Sequence, residues 1–260
     1  MVKLLRGFRE KMVMRKQVLR YLAYALGEIV LVVLGILFAL QINNWNESRK
    51  LAMEEQALLS DLKVEFEENL IAVQNDYNQN LKGLNAAKEF LVLLDKDSLI
   101  PNEHNDRLLA QMQSWSSLNL KLGITEQTLS SGKLSILQNE RLRYLLSQWP
   151  GIITNIEEDN KIRLEHIMQE LGIELGRFYP MKNMDRYVDL GFWTKDYDRE
   201  RLPASKLSGK LEATNKLNLE SLMYSHINNT DYVLLNDVEI KDLIQNILNH
   251  IEKSIDDKIL

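Results

Sequence analysis

Residues 21–45 read YLAYALGEIVLVVLGILFALQINNW. The 21 residues from Leu22 to Ile42 contain a single charged side chain, and as an α-helix they cover about 30 Å, the thickness of a bilayer's hydrocarbon core. Tyr21 and Tyr24 stand at the start and Trp45 just beyond the end, where amphipathic rings anchor a span at the two headgroup levels. A soluble helix this apolar would need partners on every face. A cleaved signal peptide would have a shorter apolar run and a small-x-small cleavage pattern, which the following QINNWNE lacks. The sequence therefore predicts one transmembrane helix at 21–45, with a 20-residue head before it and a large domain, 46–260, after it.

Orientation follows from the flanking charges. The head carries seven Lys and Arg against the single Glu10, whereas Arg49 and Lys50 are the only basic residues within about 20 positions after the span. The head is predicted to stay in the cytoplasm and the body to lie outside it. Two readings of the head stand side by side: a topology signal only, or a short amphipathic helix at 2–19 lying on an anionic inner surface.

Glu28 is the anomaly of the span. It lies six residues inside the apolar run, about 9 Å below its start, where a lone carboxylate is costly. Gly35 and Ala39 follow at helical spacing on the same face, and Gly35-x-x-x-Ala39 is the small-residue pattern that lets two helices approach closely. Glu28, Gly35 and Ala39 are thus the candidate helix-packing residues, facing a second copy or another membrane protein. Two further readings of Glu28 are ion or proton coupling with a partner span, and a protonated or snorkelling side chain in a simple homo-oligomer.

Composition bounds the rest. The chain has 260 residues, no cysteine and four prolines, and 45% of it is hydrophobic. Disulfides, thiolate metal sites and a lipidated N-terminal cysteine are excluded, and a disordered body is disfavoured. Residues 47–260 hold 25 basic and 35 acidic groups, a balance that argues against nucleic acid as a partner.

Beyond the span the pattern is helical. Leu59, Leu62, Phe66, Leu70, Val73, Tyr77, Leu81 and Leu84 recur in steps of 3, 4, 4, 3, 4, 4 and 3, an eleven-residue repeat that predicts little supercoiling or a slight right-handed twist. No breaker separates this stripe from the span, so one rod of about 70 residues, near 105 Å, competes with a kink at Asn43, Asn44 and Asn46. Turn residues and Pro101 at 95–103 precede a second helix predicted at 104–118. A short element follows near Gly123, then a helical stretch at 134–146, and Pro150 is positioned to open the next helix, 152–175. Residues 178–208 change texture, with Pro180, Pro203, Phe178, Tyr179, Tyr187, Phe192, Trp193 and Tyr197, and read as a loop or cap that packs on the helices or lines a pocket. A closing helix at 219–255, through Leu222, Tyr232, Leu235, Val238, Ile244, Ile247, Leu248, Ile251 and Ile255, would return along the first. The fold class predicted is all-α: one span followed by an extracytoplasmic antiparallel helical bundle-like domain.

Chemistry-bearing patterns are sparse. His104, His166, His226 and His250 form no H-E-x-x-H motif. His166 and Glu170 are four apart on one helical face and read as a surface hydrogen bond. Ser130-Ser131-Gly132-Lys133 matches Ser-x-x-Lys without its companion motifs, and it lacks the first glycine of a phosphate loop, so it reads as a turn before a helix. Glu157-Glu158-Asp159 lacks calcium-loop spacing. The sequence assigns no catalytic, cofactor-binding or metal-binding residue, and predicts a protein that is not an enzyme.

Tyr24-Ala25-x-Gly27-Glu28-Ile29, Gly35-Ile36 and Ala39-Leu40-Gln41-Ile42-Asn43-Asn44-Trp45-Asn46-Glu47, with TEQTLSSGKL at 125–134 and NERLR at 139–143, resemble the Bacteroidota family catalogued as domain of unknown function 6090. The 178–208 region has no clear counterpart there. The resemblance implies a single-span bacterial inner-membrane protein with a periplasmic helical domain, and it carries over no catalytic residue. A membrane-anchored interaction or scaffold protein is the function predicted. A periplasmic sensor, or an accessory subunit of an ion-coupled inner-membrane complex using Glu28, is the alternative.

Overall fold

The computed structural model describes residues 2–96, 100–113, 118–188, 200–207, 209 and 213–256, with side chains at Tyr21 and from Tyr24 onward, Ala213 and Thr214 excepted. Within these residues all regular elements are helical: α1 (Val2–Asp95), α2 (Glu103–Met112), α3 (Gly123–Ser130), α4 (Glu140–His166), α5 (Gly172–Gly176) and α6 (Ala213–Asp256). A π-turn, Ile167–Leu171, joins α4 to α5, and two 3-10 turns lie at Lys133–Ile136 and Met181–Arg186. The chain divides into two units, residues 1–57 and 58–260.

The first unit is a single helix, the N-terminal part of α1. It stays helical through Asn43, Asn44 and Asn46, so the kink offered for these asparagines does not break the helix. The side chains of the basic head lie outside the described residues. An apolar window with mean hydropathy 2.4 begins near Tyr24, and none of it is buried within the chain. By length and composition this helix can cross a membrane.

The second unit is built on three long helices. Lys63 pairs with Glu252 at 2.9 Å, Gln74 accepts from Lys241 at 2.6 Å, and Asn80 donates to Asp237 at 3.1 Å. Numbers fall along α6 as they rise along α1, so the two run in opposite directions. The Asn139–Ser254, Asp159–Asn236 and His166–Leu222 contacts place α4 antiparallel to α6 as well. Two apolar clusters form the core. One gathers Leu59, Leu62, Phe66 and Val73 with Trp149, Ile153, Ile244 and Ile247, and the other gathers Phe90 and Leu94 with Leu109, Leu171, Leu175, Leu219 and Met223. Phe66 and Trp149 meet edge to face at 4.9 Å, an arrangement favoured by the ring quadrupoles.

Burial along α1 corrects the predicted repeat. The buried positions are 59, 62, 66, 69, 73, 76, 80, 83, 87, 90 and 94, alternating steps of three and four, which is a seven-residue period. An apolar search slides off this face after Val73 because Asn69, Asp76 and Asn80 occupy it, and it picks up half-buried Tyr77 and Leu81 instead. The same error befalls α6. His226, Thr230 and Asp237 are buried there, while Tyr232, Leu235 and Val238, predicted as core, are exposed.

Three boundaries also differ from prediction. The second helix ends at Met112, with Gln113 closing its last turn, and residues 114–117 lie outside the described set. The 134–146 stretch is a 3-10 turn followed by the true helix start at Glu140, where Asn139 Oδ1 accepts from the Leu142 N–H at 3.0 Å. Pro150 lies inside α4 rather than opening a helix. Its ring faces solvent, so the carbonyl it cannot bond faces water, while buried Trp149 and Ile153 hold the helix through that point. The turn read from Ser131 and Gly132 is present, with Gly132 at φ 73°, left-handed backbone in which a Cβ is strained.

Residues 118–125 are strapped to α1 by buried polar side chains. Asn69 exchanges two hydrogen bonds with the Lys121 backbone, at 2.8 and 2.7 Å. Glu65, 4% exposed, accepts from the Ile124 N–H at 2.6 Å, the Thr125 N–H at 3.0 Å and the Thr125 hydroxyl at 2.6 Å. Leu122, which precedes α3, offers no capping side chain, so a carboxylate from another helix serves its positive end.

Candidate functional site

The residues singled out in the span all lie on α1 and are exposed. Glu28, Gly35 and Ala39 fall within about 40° of one another around a helix of 3.6 residues per turn. A Cβ added at Gly35 would meet nothing within 4 Å, so nothing in the chain occupies this face. Tyr21, Tyr24 and Trp45 are 77%, 84% and 64% exposed, open to whatever surrounds the helix. The structure leaves this group without an internal partner.

The second unit holds a polar layer that sequence reasoning missed. Between the two apolar clusters, α1 contributes Asp76 and Asn80, α4 contributes Arg163 and His166, and α6 contributes His226, Thr230 and Asp237, all buried. Asn80 Nδ2 donates to Asp76 Oδ2 at 2.8 Å and to Asp237 Oδ2 at 3.1 Å. One amide thus bridges two carboxyls on different helices. Burial above all, then the neighbouring Asp76 carboxyl, pushes Asp237 up to about 7, against the opposing pull of the Asn80 hydrogen bond and the Arg163 charge. Desolvation lowers Arg163 from its ordinary value, opposed by Asp76 and Asp237.

The histidines form the other half of the layer. His166 Nδ1 lies 2.6 Å from Glu170 Oε2, and its Nε2 lies 3.0 Å from the Leu222 carbonyl. The predicted i, i+4 pair therefore forms, but its histidine is 7% exposed and ties α4 to α6 rather than sitting on the surface. His226 stacks nearly parallel to it, ring centroids 6.3 Å apart. Burial, with the charges of Arg163 and His166, lowers His226 to about 3. Both His226 nitrogens, Arg163 Nε and one oxygen each of Asp76, Asn80 and Asp237 lack a hydrogen-bond partner. Such orphaned groups are expensive in a dry interior. A π-turn, a feature common where helices carry function, begins directly after His166.

The predicted cap is anchored rather than open. Phe178 and Tyr179 join the second apolar cluster, and the Tyr179 hydroxyl donates to Asp106 Oδ1 at 2.7 Å. Burial first, then Asp106, pushes that phenol above its ordinary range. Asn183 and Asp185 accept from the Ser205 and Leu202 N–H groups at 2.7 and 2.9 Å. Phe192, Trp193 and Tyr197 lie outside the described residues. A surface groove of about 430 Å³ runs between α4 and α6 over Ile152, Ile156, Ile240 and Leu243, edged by Asp159 and Glu239. Among the described residues no group of three or more His, Asp or Glu side chains has the arrangement of a metal site.

The middle motifs of the sequence now have structural roles. Thr125 receives Glu65, Gly132 makes the left-handed turn, Asn139 caps α4, and Arg143 Nη1 donates to the Leu137 carbonyl at 2.6 Å. No curated protein and no solved structure matches the chain. A profile described as a family of unknown function matches residues 28–168, from Glu28 past His166 and over more than half of the sequence. The chain belongs to that family, DUF6090.

Proposed function

We propose that the protein is a membrane-anchored interaction or scaffold protein. The observation that carries the reading is the wholly uncovered apolar window of α1. Its Glu28, Gly35 and Ala39 face meets another transmembrane helix, from a second copy or a different membrane protein. The seven basic residues of the head keep it in the cytoplasm of a bacterial inner membrane. The body then stands in the periplasm as an antiparallel helical bundle, and no catalytic residue is assigned to it. Crosslinking in native membranes followed by mass spectrometry tests this reading: a trapped homo-oligomer or protein neighbour is expected, and an exclusively monomeric chain overturns it. Protease added to spheroplasts should digest the body, and protection with the membrane intact reverses the topology.

Glu28 supports a second reading, an accessory subunit of an ion-coupled complex, because it places an ionisable group in the apolar helix with no partner inside the chain. Glu28→Gln keeps hydrogen bonding but loses the titratable proton, while Glu28→Ala loses both. Coupling predicts that both variants lose function with crosslinked assembly intact. Simple recognition predicts assembly kept by glutamine and weakened by alanine.

A further inference from the structure

At one level of the second unit the chain buries two carboxyls beside each other. Asp76 on α1 and Asp237 on α6 are 2% and 1% exposed, the Asp76 carboxyl is within hydrogen-bonding reach of Asp237, and Asn80 Nδ2 serves both. Among the described residues neither has an ion-pair partner within 4.0 Å. Two ionised carboxylates at this spacing repel each other in a dry interior, and a single shared proton turns the repulsion into a hydrogen bond. We infer that Asp76 and Asp237, bridged by Asn80, form a one-proton site that latches α6 to α1, and that losing the proton opens the two helices at this layer.

The surrounding groups set the direction of the switch. From α4, Arg163 faces the pair and favours its ionised form without reaching ion-pair distance. His166, also on α4, is engaged by Glu170 and the Leu222 carbonyl. On α6 itself, His226 is lowered to about 3 and so supplies no positive charge near neutrality, and Lys241, one turn beyond Asp237, is held by Gln74 of α1 at 2.6 Å. No neighbour replaces the proton when it leaves. With Asp237 raised to about 7, the latch is closed below neutrality and loosens above it. Opening relieves repulsion and also admits water to the orphaned oxygens of Asp76, Asn80 and Asp237.

The full-length chain in lipid nanodiscs provides the test. Because it has no cysteine, spin labels can be placed at two introduced sites only, Ile71→Cys on α1 and Leu235→Cys on α6, both exposed. Distance distributions are then compared about 1.5 pH units either side of about 7, a roughly thousandfold change in proton activity. The expected result is one narrow population on the acid side and an added longer population on the alkaline side, lost when Asp237→Asn removes the titration. An unchanged distribution, or the same pH response in Asp237→Asn, overturns the inference. Should that variant not fold, infrared titration of the unsubstituted chain serves instead. A protonated-carboxyl carbonyl band must disappear near neutral pH, and its absence across this range overturns the inference equally.

Discussion

Glu28 and Asp237 are both carboxyls in apolar surroundings, and they solve the problem in opposite ways. Glu28 lies on a helix whose apolar window nothing in the chain covers, so its partner must come from outside. Asp237 has its partners within the chain: a second carboxyl, a bridging amide and a nearby guanidinium, supplied by α1 and α4. Glu65 is a third case, buried yet fully served by three donors from one strap. An incompletely served carboxyl is a candidate for function, and a fully served one is a fastener. The comparison can be broken at each point.

The largest effect is expected from Arg163→Leu. It leaves the carboxyl pair without its only facing cation and should cost about 3 kcal/mol or more in urea unfolding of the detergent-solubilised chain. A loss under about 1 kcal/mol would mean that Arg163 does not compensate the pair. Glu65→Ala comes next, at about 2 kcal/mol, because it strips the only side-chain acceptor from the start of α3. Amide exchange at Ile124 and Thr125 should rise with it, and unchanged protection there would detach Glu65 from the capping role.

The pH dependence of stability follows with smaller slopes, and the signs can be worked out group by group. Asp237, raised from 3.8 to about 7, contributes stability that is present below 3.8 and lost as pH rises to about 7. His226, lowered from 6.5 to about 3, contributes stability that is present above 6.5 and lost as pH falls to about 3. Between these limits folding moves one proton from histidine to aspartate with little net uptake, so the two slopes oppose each other. His226→Gln should therefore unmask stability falling with pH, and Asp237→Asn stability rising with pH, each by at most about 1.4 kcal/mol per unit. Parallel slopes in the two variants would sink this assignment. The smallest effect belongs to Glu28→Leu, which should leave the unfolding midpoint of the body within about 0.5 kcal/mol. A larger change would show that the span carriers of function also hold the fold.

How legible each region was follows from contrast. Glu28 stands out in a run of Leu, Val and Ile, and α1 and α6 are long enough to read despite their boundaries. Asp76, Asn80, Arg163 and Asp237 sit in helices already rich in charge, where a buried polar residue has the same letter as a solvated one. Three-and-four spacing could have found them, had polar residues been allowed on the stripe. Only Asn80 meeting Asp237 across 157 positions shows that they share a layer, and spacing within one helix cannot reveal that. Pro150 misled for a related reason, since a proline's effect depends on which side of the helix faces water.

The π-turn after His166 makes the second unit sensitive to sequence length at one place. Gly172 accommodates that turn, because a Cβ there would stand 2.8 Å from the Ile167 carbonyl oxygen. A π-turn holds one residue more than the α-helical turn it replaces. Deleting a single residue between 167 and 171 would close it into ordinary helix and rotate everything after it by about 100°. Leu175 and Phe178 would then swing away from the second apolar cluster, while α1 and α4 kept their places. Single-residue deletions should thus be tolerated in the exposed Ser130–Lys133 turn far better than here, making this helix the point where the reading of length, more than of composition, decides whether the cap seats.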